Sequence, residues 1–215
     1  MNNVVDLGRV KPGFRQPSLD AQRVYRSLLD AMARPGTIHD LSDAPEPPAG
    51  MTRAAAAIAL TLVDFETPLW LSPELVNGEA DAWIRFHCNA PLVSATDEAD
   101  FAFVADASKL PPFTDFCEGD ARYPDRSTTV ILQVPSLTGG EAVTLEGPGI
   151  DGTIDIALGG VPADFWTQVD ANSAQFQLGI DFFVVDEDSV IGLPRTSRRT
   201  TAAHSRTNAP AQQTA

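Results

Sequence analysis

Apolar residues at Leu19, Val24, Tyr25, Leu28, Leu29 and Met32 recur at helical spacing, which predicts a helix beginning at an N-cap Ser18 and stopped by Pro35-Gly36. Thr37 to Leu41 reads as a short strand. After the proline-rich loop Ala44 to Gly50, the alanine-rich run Thr52 to Val63 predicts a buried helix, and Pro68 to Ser72 a strand. A second short helix is expected over Glu79 to Phe86, and Phe101 to Val104 is β-like. The segment Pro111 to Arg126, with its Pro, Gly and Asp residues, reads as a long loop. Strands follow at Thr128 to Pro135, Ala142 to Glu146 and Thr153 to Leu158, with turns at Thr138-Gly139-Gly140 and Gly147 to Gly152. Ala163 to Val169 can form a helix, and Gly179 to Val185 with Val190 to Leu193 predicts a closing strand pair. Helices separating the early strands and hairpins among the later ones predict an α/β fold of one domain, a mixed β-sheet with flanking helices.

Charge narrows the function classes. The 215-residue chain has 15 Lys and Arg against 29 Asp and Glu, a net charge of −14, which excludes a generic binder of nucleic acid or of an anionic membrane. The distribution is uneven. Residues 1–194 hold eleven cations and all twenty-nine acids, a net of −18, whereas Arg195 to Ala215 carries four Arg and no acid. Residues 1–197 are therefore expected to form the domain, and 198–215 a disordered basic tail too poor in apolar residues to offset its ordering entropy. Ser127 to Pro194 holds ten acids and no Lys, Arg or His, so phosphate recognition there would fall to backbone amides. No basic-then-apolar leader occurs at Met1 to Phe14, the run Ala54 to Val63 is too short to span a bilayer, and Cys88 and Cys117 are too few for a disulfide scaffold. A cytoplasmic protein with free thiols is expected.

The chemical motifs are sparse. Gly147-Pro148-Gly149-Ile150-Asp151-Gly152 matches GxGxxG, with Asp170 near the position of a ribose-binding acid. A dinucleotide loop must lead into a helix, however, and Thr153 to Leu158 alternates like a strand, so a plain turn is expected. No Gly is followed by Lys and no GxSxG occurs, which excludes a Walker loop and a nucleophile elbow. The histidines are His39, His87 and His204. His87-Cys88 could supply metal ligands, but adjacent residues rarely converge on one ion and no second pair is near, so no metal site is expected. Arg85, His87 and Asn89 form a dense polar cluster that could hold an anion or dock a partner; equally, Arg85 and Asn89 could satisfy loop carbonyls and His87 lie in the core. Arg23, Arg26 and Arg34 read as solvated helix charges, and Trp70, Trp83 and Trp166 as core.

Seven segments occur in a telling order: YRSLLDAMARPG from Tyr25, LTLVDFETPLWL from Leu60, RFHCNAP from Arg85, ILQVPSLTGG from Ile131, LEGPGI from Leu145, FQLGID from Phe176 and IGLPRT from Ile191. Over roughly residues 12–197 the chain resembles the H subunit (PhnH) family of the bacterial carbon-phosphorus (C-P) lyase core complex. It departs at Phe176-Gln177-Leu178-Gly179, where that family often has Phe-Pro-Leu-Gly, and in its basic tail. The resemblance implies a part in breaking down alkylphosphonates, with the G, I and J subunits as partners. It also implies a first reaction, needing the G, H and I subunits, that displaces adenine from ATP to give a ribose 1-phosphonate 5-triphosphate. A fold similar to pyridoxal-phosphate-dependent transferases is implied, without that cofactor. Lys11, ahead of the fold, and Lys109, in a loop, offer no strand-end Schiff base, so no cofactor is expected in this chain. A homodimer is a further expectation; nucleic acid and membrane are not expected as partners. Two roles follow. One is a structural or assembly subunit, preferred because the chain lacks a strong nucleophile, base or metal set. The other contributes residues to the ribosyl-transfer site: Arg85 and Arg195 on phosphoryl oxygens, His87 moving a proton, and Asn89 beside them. Convergence of these four in one cleft would favour the second role, and dispersal the first.

Overall fold

The computed structural model describes residues 10–200. The expected absence of a leader falls largely on residues 1–9, and the expected disordered tail, with His204 and Arg206, falls from residue 201 onward; both lie outside the described residues.

Helix α1 (Pro17–Ala33) leads through β1 (His39–Asp40) to α2 (Arg53–Leu62), β2 (Leu69–Leu71), α3 (Glu79–Cys88), β3 (Phe101–Val104) and β4 (Thr129–Gln133). Then follow β5 (Val143–Glu146), β6 (Ile154–Ile156), α4 (Phe165–Ala174), β7 (Asp181–Val185), β8 (Ser189–Leu193) and β9 (Arg198–Arg199). Six strands form a mixed sheet in the order β1-β8-β7-β4-β3-β2. Neighbours among β7, β4, β3 and β2 are parallel; β8 runs antiparallel to β7, and β1 to β8. The expected single sheet is corrected in one respect: β5 and β6 leave it and, with β9, build a separate antiparallel sheet in the order β6-β5-β9.

Alternation along the central strands splits the core in two. Phe103, Ile131, Phe183 and Val185 face α1, α2 and α3, whereas Ala102, Val104, Val130, Leu132, Phe182 and Val184 face α4 and the small sheet. Helix α2 is buried on every side, Ala54 to Ala59 having no exposed surface. Alanine permits this because it lets neighbouring backbones approach closely. The segment Lys11–Gln16 lies against the layer, its Lys11 carbonyl accepting from Trp83 Nε1 at 2.9 Å. A similar close approach fixes α1 on β8, where a Cβ on Gly192 would stand 2.4 Å from the Ala31 carbonyl oxygen.

Three expectations on the elements change. Helix α1 starts at Pro17 rather than after Ser18: proline at N1 presets φ, and Asp20 accepts from the backbone N–H of the N-cap residue Gln16 at 2.8 Å. Its buried face is Val24, Leu28 and Ala31, so Leu19, Tyr25 and Leu29 are exposed. Helix α3 runs two residues past the expected end, taking His87 into its last turn. The domain also runs past 197: Arg198 and Arg199 pair with Glu146 and Leu145 of β5, and Arg199 Nη2 meets Asp170 at 2.5 Å.

Candidate functional site

Arg85, His87 and Asn89 lie together at the C-terminal turn of α3, where cations are favoured by the helix dipole. Each has a structural task. Arg85 Nε donates to Asp81 one turn back, and Asn89 closes the helix in the left-handed conformation, with φ 53° and ψ 27°. His87 is half-buried, its ring tilted 56° against that of Trp83 with centroids 4.7 Å apart, and its Nε2 donates to the Lys11 carbonyl at 3.0 Å. It thus pins the N-terminal segment onto the helical layer. The adjacent Cys88 points the other way, toward the Ala59 carbonyl, and burial pushes its thiol up to about 12. A thiol so held is protonated at neutral pH and stays a poor ligand.

Arg195 sits elsewhere, after β8, with its side chain only 12% exposed. Its backbone N–H donates to Asp181 Oδ1 at 2.7 Å, and Nε donates to the same carboxylate at 3.2 Å. Nη1 donates to the carbonyls of Pro124, at 2.9 Å, and Gln177, at 3.3 Å. Nη2 donates to Asp181 Oδ2 at 2.5 Å and to the Ser127 hydroxyl. All five guanidinium hydrogens are therefore taken by the protein. None is left for a phosphoryl oxygen without unpairing a buried group.

The structure brings Arg85, His87 and Asn89 together and leaves Arg195 apart. The two groups share no partner residue. Asp181, which anchors Arg195, opens β7, whereas the chain leaving α3 bridges to β2 at Leu92 and Leu69, with β4 and β3 standing between.

The C-terminal ends of the parallel strands, where α/β sheets commonly bind ligands, are filled by protein. Gln133, at the end of β4, is buried; its Oε1 accepts from Thr52 N at the start of α2, and its Nε2 donates to Gly50 O and Ala105 O at 3.0 and 3.3 Å. Lys109 pairs with Glu74 at 2.6 Å, and Lys11 with Glu46 at 2.8 Å. The Lys109 hydrogen bond holds the Glu74 carboxyl below its usual value, and Lys11 does the same for Glu46. Neither lysine offers the free, desolvated amine that a Schiff base needs.

The glycine run is the expected turn, joining β5 to β6 with no helix after it. Its glycines serve packing: Gly149 has φ 84°, and a Cβ there would come within 2.2 Å of the Ala33 carbonyl at the end of α1. Among the described residues, no three His, Cys, Asp or Glu side chains gather to hold a metal ion. Of the tryptophans, Trp83 and Trp166 are buried, and Trp70 is half-buried edge-on to Phe116. Arg23 is exposed, as expected of a solvated helix charge, and there bonds Asp20 and approaches Asp43 at 3.9 Å. It lines a cleft of about 710 Å³ with Arg15, Arg53, Asp20, Asp43 and Glu46, in which the charges balance. Sequence reasoning missed this cleft, and also Asp181, Ser127 and Asn172 as the supports of Arg195 and its neighbouring loop. The only signal was that Asp181 closes one of the seven segments and Arg195 lies within another.

Comparison with known proteins agrees with this chain's most distinctive segments. The family model described as "Bacterial phosphonate metabolism protein (PhnH)" matches residues 12–200. A relative from Rhizobium meliloti (strain 1021), "Alpha-D-ribose 1-methylphosphonate 5-triphosphate synthase subunit PhnH", is 44% identical over 185 residues, which cover 86% of this chain and 92% of the relative.

Proposed function

The chain belongs to the PhnH family of bacterial phosphonate metabolism proteins, and on that premise we propose that it is the H subunit of a ribose 1-methylphosphonate 5-triphosphate synthase with a structural, assembling role. The reaction it serves is the displacement of adenine from ATP by an alkylphosphonate, in company with the G and I subunits and within a core complex that includes J. One observation carries the assigned role: of the two cations expected to grip a phosphoryl group, Arg85 and Arg195, the latter spends every guanidinium donor inside the protein. The dispersal of Arg195 from Arg85, His87 and Asn89 supports the same reading, as does the ion pairing of both described lysines; the proposal takes in the fold similarity to pyridoxal-phosphate-dependent transferases that the resemblance implies. The chain works without a cofactor of its own and in the cytoplasm; among the described residues, no helix is long and apolar enough to cross a membrane.

Co-expression with the G, I and J subunits tests this. The chain is expected to co-purify with them in fixed stoichiometry, and its omission to abolish synthase activity. Recovery of an active synthase without it would contradict the proposal.

A further inference from the structure

We infer that the loop carrying Phe176, with the Glu118–Arg126 loop beside it, is the face on which another subunit of the synthase docks, one presenting an apolar socket rimmed by arginine or lysine. This rests on the assembly role proposed above and gives that role a place on the molecule.

Phe176 is 61% exposed, a large apolar side chain left in water. Its loop is nevertheless held firmly. Asn172 Nδ2 donates to Ile180 O and Asn172 Oδ1 accepts from Ile180 N, both at 2.9 Å. Gly179 N donates to Glu118 O at 3.0 Å, and Arg195 ties Gln177 O to Pro124 O across the two loops. A buried Arg–Asp pair is costly to desolvate and is weak evidence for stability alone. Here it fixes two surface loops at one relative position, beneath a shallow cleft lined by Pro124, Asp125, Phe176, Gln177 and Arg195. An aromatic side chain on an already ordered backbone is the kind of group that dominates protein interfaces, because little ordering remains to be done on binding.

The charges around it choose the occupant. The neighbouring loop presents Glu118, Asp120 and Asp125, none ion-paired among the described residues, together with Arg122 and with Arg126, which lies over the Tyr123 ring at 4.1 Å. Asp181 neutralises Arg195. This acidic margin, three carboxylates against two cations, favours a basic partner. A second copy is disfavoured, since a two-fold contact would set this margin against itself.

The test uses the full chain co-expressed with tagged G, I and J subunits. Phe176→Ser and Asp125→Lys are each expected to reduce recovery of the chain about tenfold, the effect of losing one anchor. Their melting temperatures should match the wild type, and Leu29→Ser, on the exposed face of α1, should be recovered normally. Wild-type recovery of both variants would overturn the inference while leaving the assembly role standing; failure of the wild-type chain to co-purify would overturn both. A dimer of the isolated chain that Phe176→Ser dissociates would reassign the face to a second copy. Stronger recovery of a chain ending at residue 200 would reassign it to this chain's own tail.

Discussion

Arg195 holds Asp181 from both ends of one residue: its backbone N–H donates to Oδ1 at 2.7 Å and its guanidinium to Oδ2 at 2.5 Å. The contact joins the start of β7 to the segment leaving β8, fourteen residues apart in sequence, and the remaining guanidinium donors bind the loops at Pro124, Ser127 and Gln177. Arg195→Ala would strand a largely buried carboxylate. A loss of about 3 kcal/mol is expected, or a fall in melting temperature of roughly 6–12 °C for a domain of this size. Arg195→Lys should restore little, since one ammonium cannot span the same set of acceptors. Denaturant titration of both variants checks this.

The thiols should react unequally. Cys88 is buried with its thiol raised to about 12, whereas Cys117 is half-exposed. At neutral pH an aromatic disulfide reagent is expected to titrate one thiol per native chain, at Cys117, and two after unfolding. Mass spectrometry of the labelled chain identifies the site; rapid native labelling of Cys88 would show that α2 and α3 separate readily.

Protonation of Glu74 gives a pH-dependent contribution of known sign. Its folded-state pKa lies below the ordinary 4.5 because Lys109 hydrogen-bonds the carboxylate, so the contribution is present above that value and fades as pH falls through the lowered one. Glu74→Gln should therefore melt below the wild type at neutral pH, by a small margin because the pair is solvent-screened. The gap should close as the medium is acidified below pH 4.5. A gap unchanged at low pH would show that Glu74 acts through packing.

Much of the fold was legible in the sequence where periodicity was strong. Ala54 to Ala59 announced a buried helix, and the β-rich segments around Phe101, Val130 and Phe182 announced the central strands. Gly147 to Gly152 was readable as a turn because the helix a phosphate loop requires did not follow. What stayed hidden was non-local. Leu19, Tyr25 and Leu29 carry the helical period but face solvent, because a helix with two apolar stripes does not declare which one packs. The departure of β5 and β6 to a second sheet depends on a two-residue partner strand, Arg198–Arg199, within a segment whose composition suggested a tail. The candidate site divided likewise: Arg85, His87 and Asn89 share the end of one helix because they are close in sequence, but the enclosure of Arg195 depends on Asp181, Ser127, Pro124 and Gln177, which no local pattern joins to it.

The central claim, that the chain assembles the synthase without supplying its chemistry, is tested most directly by the turnover of the reconstituted complex of G, H and I subunits carrying Arg85→Ala, His87→Ala and Asn89→Ala singly. With the variant complexes matched to wild type in stoichiometry and mass, kcat is predicted to stay within about twofold of the wild-type value, since a removed transition-state contact typically costs a hundredfold or more. A fall of that larger size in any variant, with KM and assembly intact, would place the residue at the reacting atoms and contradict the account.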